Sequence, residues 1–154
     1  MENNVEDTEL KQLTIISLTG HEKKKFLQFG KRKPENFLLK LELVEEPYST
    51  IDMIVGRQEA SELAIAIEGI DPGRPMPSQL LKSAIELFGY SLSKVVIEKL
   101  EKGIFYSTLY LIKDNEIKTL DSRPADAIAQ AVRFDCPLYC TNQVLEKLAE
   151  PLPS

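Results

Sequence analysis

The chain has 154 residues, of which 43% are hydrophobic and 28% charged, with 7 Gly and 9 Pro. That composition fits one compact domain and excludes collagen-like, low-complexity and disulfide-stapled chains. At this length folding hides about 70% of the surface of the unfolded chain, enough to build a core without a metal or a disulfide. Lys plus Arg total 19 against 24 Asp plus Glu, a net charge of -5, which excludes the uniformly basic field of a DNA-coating protein and leaves only local nucleic-acid contacts.

No apolar run approaches the roughly 18 to 20 residues of a membrane span, and Met1-Glu2-Asn3-Asn4 lacks the basic-then-apolar layout of a signal peptide. A cytoplasmic protein with no membrane partner is the expectation. Cys136 and Cys140 stand at C-x3-C spacing with no second pair and no neighbouring His. That is poor zinc spacing, and it reads as two buried thiols in a reducing compartment.

Residues 1–12 carry Glu2, Glu6, Asp7 and Glu9 without an apolar period and read as a loose arm. The folded domain is expected over residues 13–150, followed by a short tail at 151–154. Leu13 to Leu18 is β-branched and apolar, and Asn36 to Val44 alternates Phe37, Leu39, Leu41 and Leu43 with Leu38, Lys40 and Glu42, so both predict strands. Between them, Lys23, Lys24, Lys25, Lys31, Arg32 and Lys33 surround Phe26 and Phe29 in a segment too polar for the core and too long for a tight hairpin. Ile51 to Val55 is a third strand ending at Gly56. Ala60, Leu63, Ala64 and Ile67 then form a helical stripe that stops near Gly69. After the Asp71-Pro72-Gly73-Arg74-Pro75 turn, Leu80, Leu81, Ala84, Ile85 and Phe88 give a second helix from Pro77 onward, ending at Gly89.

The second half repeats this order. Leu92 to Leu100 and Ile104 to Ile112 are strands joined by Glu101-Lys102-Gly103, and Glu116 to Leu120 is a third. Helices follow at Pro124 to Arg133, with Ala127, Ile128, Ala131 and Val132 on one side, and at Asn142 to Ala149, with Val144, Leu145 and Leu148 inward. LAIAI at 63–67 resembles IAQAV at 128–132, each following an acid, Glu59 or Asp126, at its helix start. The predicted fold class is therefore α+β, a duplicated three-strand, two-helix unit forming a mixed sheet packed with helices.

The segment with most chemistry is Leu120 to Ala129 (LDSRPADAIA), where a strand ends in an acid, an arginine occupies the turn and a second acid opens a helix. Arg binds phosphate oxygens in a bidentate fork, and a helix N-terminus adds free N–H groups and a positive dipole. Asp121 and Asp126 are candidate ligands for a divalent cation, Mg2+ or Mn2+, that activates water at a phosphodiester. The competing reading is structural. With Pro124 at the first helical position, Asp126 sits near the third, where an acid satisfies the helix dipole without any catalytic purpose, and Asp121 with Arg123 makes a plain ion pair. Glu59, after Gly56-Arg57, carries the same two readings. The six basic residues at 23–33, interleaved with phenylalanines, are candidates for contacting phosphates and unpaired bases, or form a solvated loop. His21 is the sole histidine, and the chain contains no G-x-S-x-G, P-loop or G-x-G-x-x-G.

The runs IVGRQEASELAIAIEG (54–69), Arg74-Pro75-Met76, LEKGIFYSTLYL (100–111) and LDSRPADAIAQAVRFDCPLY (120–139) resemble the bifunctional nuclease domain family of bacteria and plants. The resemblance spans roughly residues 13–149. It implies the duplicated α+β fold, phosphodiester hydrolysis of DNA and RNA, and assembly into a homo-oligomer, a dimer or higher. Carried onto this chain together with the residue chemistry, it makes Glu59, Arg74, Asp121, Arg123 and Asp126 the candidate catalytic residues. One departure stands out: where the family continues Arg-Pro with Thr-His-Asp, this chain has Pro77, Ser78 and Gln79. The proton-shuttling His and the carboxylate are both missing there. That leaves open a second reading, a non-catalytic oligomeric module that binds nucleic acid or protein.

Overall fold

The computed structural model describes residues 10–21 and 35–151. Its strands are β1 (Leu10–His21), β2 (Asn36–Leu43), β3 (Thr50–Gly56), β4 (Ser91–Glu101), β5 (Ile104–Lys113), β6 (Glu116–Ser122) and β7 (Leu138–Thr141). The helices are α1 (Arg57–Glu68), α2 (Pro77–Leu87), α3 (Pro124–Phe134) and α4 (Asn142–Ala149). The alternation along β2 works as a strand pattern should: Leu39, Leu41 and Leu43 are buried while Leu38, Lys40 and Glu42 are only half-buried.

All strands share one mixed sheet in the order β3-β2-β1-β7-β4-β5-β6. Each half of the chain is an antiparallel meander that starts near the centre of the sheet and runs outward, β1-β2-β3 to one edge and β4-β5-β6 to the other. The duplication is thus visible in the architecture. The seam between the halves is β7, antiparallel to β1 over Leu10–Leu13 and parallel to β4 over Val95–Ile97. β7 is an addition to the three-strand, two-helix repeat, since four residues are too few to show a period between two helices. Its pairing also orders Leu10 to Gln12, so β1 begins three residues before the apolar run that marks it in sequence.

α1 and α3 pack side by side on the sheet. Leu39, Leu41, Ile51, Leu63, Val95, Ile97, Leu109, Ile128 and Val144 are shielded almost completely in one contiguous core, and each such side chain contributes about 1.5 to 3 kcal/mol. α1 stops where Gly69 turns left-handed at φ 63°. α2 is packed differently. Of its apolar set only Ile85 is buried, while Leu80 and Phe88 remain 62% and 69% exposed, because α2 rests on α3 and not on the sheet. No helix among the described residues is long and apolar enough to cross a membrane.

Candidate active site

Two strand-to-helix junctions meet at one end of the molecule. β3 passes through Gly56 into α1, and β6 passes through Ser122-Arg123 into α3. Since α1 and α3 are neighbours, their first turns face a common cleft of about 570 Å³, whose lining includes Glu59, Glu62, Ser78, Asp121, Arg123 and Asp126.

Glu59 is fixed by a capping contact. Its Oε2 accepts the Gly56 N–H at 2.7 Å, closing the first turn of α1. A Cβ on residue 56 would lie 2.7 Å from that oxygen, so glycine is what permits the approach. The other oxygen, Oε1, lies 2.6 Å from Nη1 of Arg123. Arg123 is the N-cap of α3, ahead of Pro124, and its Nε donates to Oδ2 of Asp126 at 2.7 Å. Asp126, first through that hydrogen bond and then through its charge, holds the guanidinium above its ordinary range, and the charge of Glu59 adds to the effect. Glu59 and Asp126 thus clamp one guanidinium between two helix starts. Two of its five N–H donors serve these carboxylates, and the side chain is 68% exposed, so the rest of the fork faces solvent and cleft.

The structure brings Glu59, Arg123 and Asp126 together. Asp121 lines the rim of the cleft, yet it pairs with Thr108, whereas its neighbour Leu120 pairs with the core residue Leu109. Strand alternation therefore turns Asp121 toward the face of the sheet opposite Leu120. Arg74 is exposed on the turn before α2 and is not part of the cleft lining. Lys23, Lys24, Lys25, Lys31, Arg32 and Lys33 lie outside the described residues.

A set of buried polar residues escaped the sequence reading. Glu62 and Gln130 line the floor of the cleft at 7% and 1% exposure. Ser78 donates its N–H to Glu62 Oε2 at 3.4 Å, and its carbonyl accepts from Gln130 Nε2 at 2.8 Å. Its hydroxyl accepts from Arg133 Nε. These bonds run between helices distant in sequence, and the only sequence signals are Glu62 and Gln130 interrupting otherwise apolar helix faces.

Among the described residues no group of three or more His, Cys, Asp or Glu is arranged to hold a metal by itself. The lining offers oxygen donors only, and four carboxylates (Glu59, Glu62, Asp121, Asp126) outnumber two arginines, Arg57 and Arg123. With Asp121 turned away and both Glu59 oxygens engaged, a hard cation at this cleft would be held by Asp126 Oδ1 and otherwise by waters and the oxygens of a bound phosphate.

The family model described as the bifunctional nuclease domain matches residues 40–153. An uncharacterized protein of Mycobacterium tuberculosis is 35% identical over 99 residues, covering 64% of this chain and 58% of its own length. Bifunctional nuclease 1 of Oryza sativa subsp. indica is 30% identical over 111 residues, 68% of this chain and 34% of that protein. Bifunctional nuclease 2 of Oryza sativa subsp. japonica is 33% identical over 91 residues, 57% of this chain and 28% of that protein. The chain therefore spans between about a quarter and three fifths of these relatives. With its fold, its duplicated junctions and this match, the chain belongs to the bifunctional nuclease domain family.

Proposed function

We propose that the chain hydrolyses phosphodiester bonds of DNA and RNA at the Glu59–Arg123–Asp126 cluster. The supporting observation is the guanidinium of Arg123, held by two carboxylates at the start of α3 with donors left over. A phosphate there meets a bidentate donor and the positive end of a helix dipole together. The excess of carboxylates repels a polyanion unless a cation accompanies it, which favours metal dependence. Asp126 engages Arg123 through Oδ2 and would keep Oδ1 for a cation, whereas Asp121, turned toward the opposite face of the sheet, would act only through its charge at the rim. When bound, a divalent cation, Mg2+ or Mn2+, would supply Lewis-acid stabilisation of the phosphoryl oxygens and would make water a better nucleophile. Glu59 keeps the guanidinium aimed, and Arg123 stabilises the charge that develops on the phosphoryl oxygens. Arg74 acts farther out, on an incoming strand, and the basic residues at 23–33 add contacts along the backbone of the substrate.

The test is cleavage of labelled single-stranded RNA and duplex DNA with Mg2+, with Mn2+ and with chelator. Cleavage that requires the metal supports the reading, and cleavage unchanged by chelator refutes its metal part.

A second reading is favoured by Pro77-Ser78-Gln79 standing where the family has Thr-His-Asp. In that reading the charged cluster is a brace, and the chain is a non-catalytic homo-oligomeric module that binds nucleic acid or protein. It predicts binding without cleavage, and a lower assembly mass for Arg123→Ala.

A further inference from the structure

The two ends of α2 are held very unequally. At the C-terminal end Ile85 is buried, the Tyr90 N–H reaches the Ile85 carbonyl at 3.1 Å, and Lys113 Nζ donates to the Phe88 carbonyl at 3.1 Å. The middle contributes the Lys82 ammonium, 4.9 Å from the centre of the Phe134 ring. At the N-terminal end the contact is polar and converges on Ser78, which is bonded by Glu62, Gln130 and Arg133. Those same three residues carry Glu62 Oε1, Gln130 Oε1 and Arg133 Nη2, buried atoms that have no hydrogen-bond partner among the described residues.

We propose that α2 is a hinged wall of the cleft, pivoting near Ile85 and latched at Ser78, with Gln130, Glu62 and Arg133 as positioning residues that act through Ser78. Pro77, Ser78 and Leu81 form this wall, so its tilt sets the width of the cleft above the floor. Buried polar atoms without partners are costly. Tilting the N-terminal end of α2 outward lets water reach all three, which offsets the bonds lost at Ser78 and keeps the opening free energy low. Little apolar packing opposes the motion at this end, because Leu80 is 62% exposed and Leu81 only half-buried. The leading turn can absorb it, with Gly69 and Gly73 both left-handed at φ 63° and 78°. The motion rests on this geometry alone; its role in admitting substrate rests on the phosphodiesterase reading.

The experiment is amide hydrogen exchange on the full chain, comparing wild type with Ser78→Ala and, as a second variant, Gln130→Ala. The hinged wall predicts that amides of residues 80–84 exchange at least about tenfold faster than those of α3, since the three bonds lost at Ser78 are offset by water reaching the buried atoms and the opening costs little. Ser78→Ala is expected to raise exchange in α2 about fivefold further and leave α3 unchanged. Protection of 80–84 equal to that of α3, or acceleration of both helices together in both variants, overturns the hinge. In the same preparations Ser78→Ala should move KM of cleavage about threefold or more with kcat within about twofold. A shift in exchange without any shift in KM overturns the access role, whereas a wild type that cleaves nothing refutes the phosphodiesterase reading and leaves the motion standing.

Discussion

Oε1 of Glu59 and Nη1 of Arg123, 2.6 Å apart, join the first turn of α1 to the N-cap of α3. They occupy equivalent strand-to-helix junctions in the two halves of a duplicated chain. Neither half makes the cluster alone, and it exists because α1 and α3 pack side by side on one sheet. The duplication thereby brings an acid from one unit against a cation from the other.

Replacing Arg123 by Ala should reduce cleavage about 10²- to 10³-fold, the usual effect of removing a donor aimed at developing charge. The thermal midpoint should hardly move. Ion pairs at a side chain this exposed contribute about 0 to 1 kcal/mol. Arg123→Lys should recover little, because a point charge cannot reproduce the fork that reaches both carboxylates. Kinetics and thermal melts on the same preparations separate these outcomes.

Glu59 serves its helix and its neighbour with different oxygens, so two substitutions should part the roles. Glu59→Gln keeps an acceptor for the Gly56 N–H and removes the charge facing Arg123. It should cost activity with a midpoint shift within about 2 °C. Glu59→Ala loses the capping contact as well and should cost about 1 kcal/mol, or about 3 °C in a domain of this size. Equal midpoints for the two variants in a melt would contradict the capping role.

Much of this was legible in the sequence, for definite reasons. Period-two leucines fixed β2, and Gly69 and Gly89 marked where α1 and α2 end, because a left-handed residue is cheapest as glycine. The junction acids and Arg123 stood out since Pro124 and the apolar stripe after it locate the start of α3. Other features depend on contacts between distant segments. β7 is four residues long and is a strand only because β1 and β4 leave a slot between them. Asp121 and Asp126 look alike in sequence, but pairing with Thr108 turns one toward the opposite face of the sheet while the helix start aims the other at Arg123. The Ser78 latch joins α2 to residues of α1 and α3, a relationship that no local pattern encodes.

Cys136 and Cys140 are free, and burial pushes both thiols from 9.0 up to about 11. Their thiolate fraction at pH 8 should be about a hundredfold below that of an ordinary cysteine, and alkylation of the native protein correspondingly slow. The unfolded chain ionises first as pH rises. The stability these thiols contribute is therefore fully present below pH 9 and is lost between there and about 11. Iodoacetamide labelling timed by mass spectrometry, with denaturant melts at pH 8 and 10, checks both statements. Labelling as fast as a free thiol would contradict them.

If the basic residues at 23–33 contact a duplex, about six phosphates are neutralised, and the logarithm of the binding constant should fall against log salt with a slope of about -5. Replacing Lys23, Lys24 and Lys25 by Gln should reduce that slope to about -2.7. A flat dependence in a fluorescence titration eliminates this segment as a phosphate reader.

The central claim is that hydrolysis happens at the start of α3, and the most direct measurement compares wild type with Asp126→Asn, purified identically, on labelled RNA and duplex DNA with Mg2+ or Mn2+. The site predicts metal-dependent cleavage by the wild type and its loss in Asp126→Asn, with thermal midpoints within about 3 °C, since Asn keeps the acceptor for Arg123. Equal cleavage by both proteins, or none by either, would contradict it.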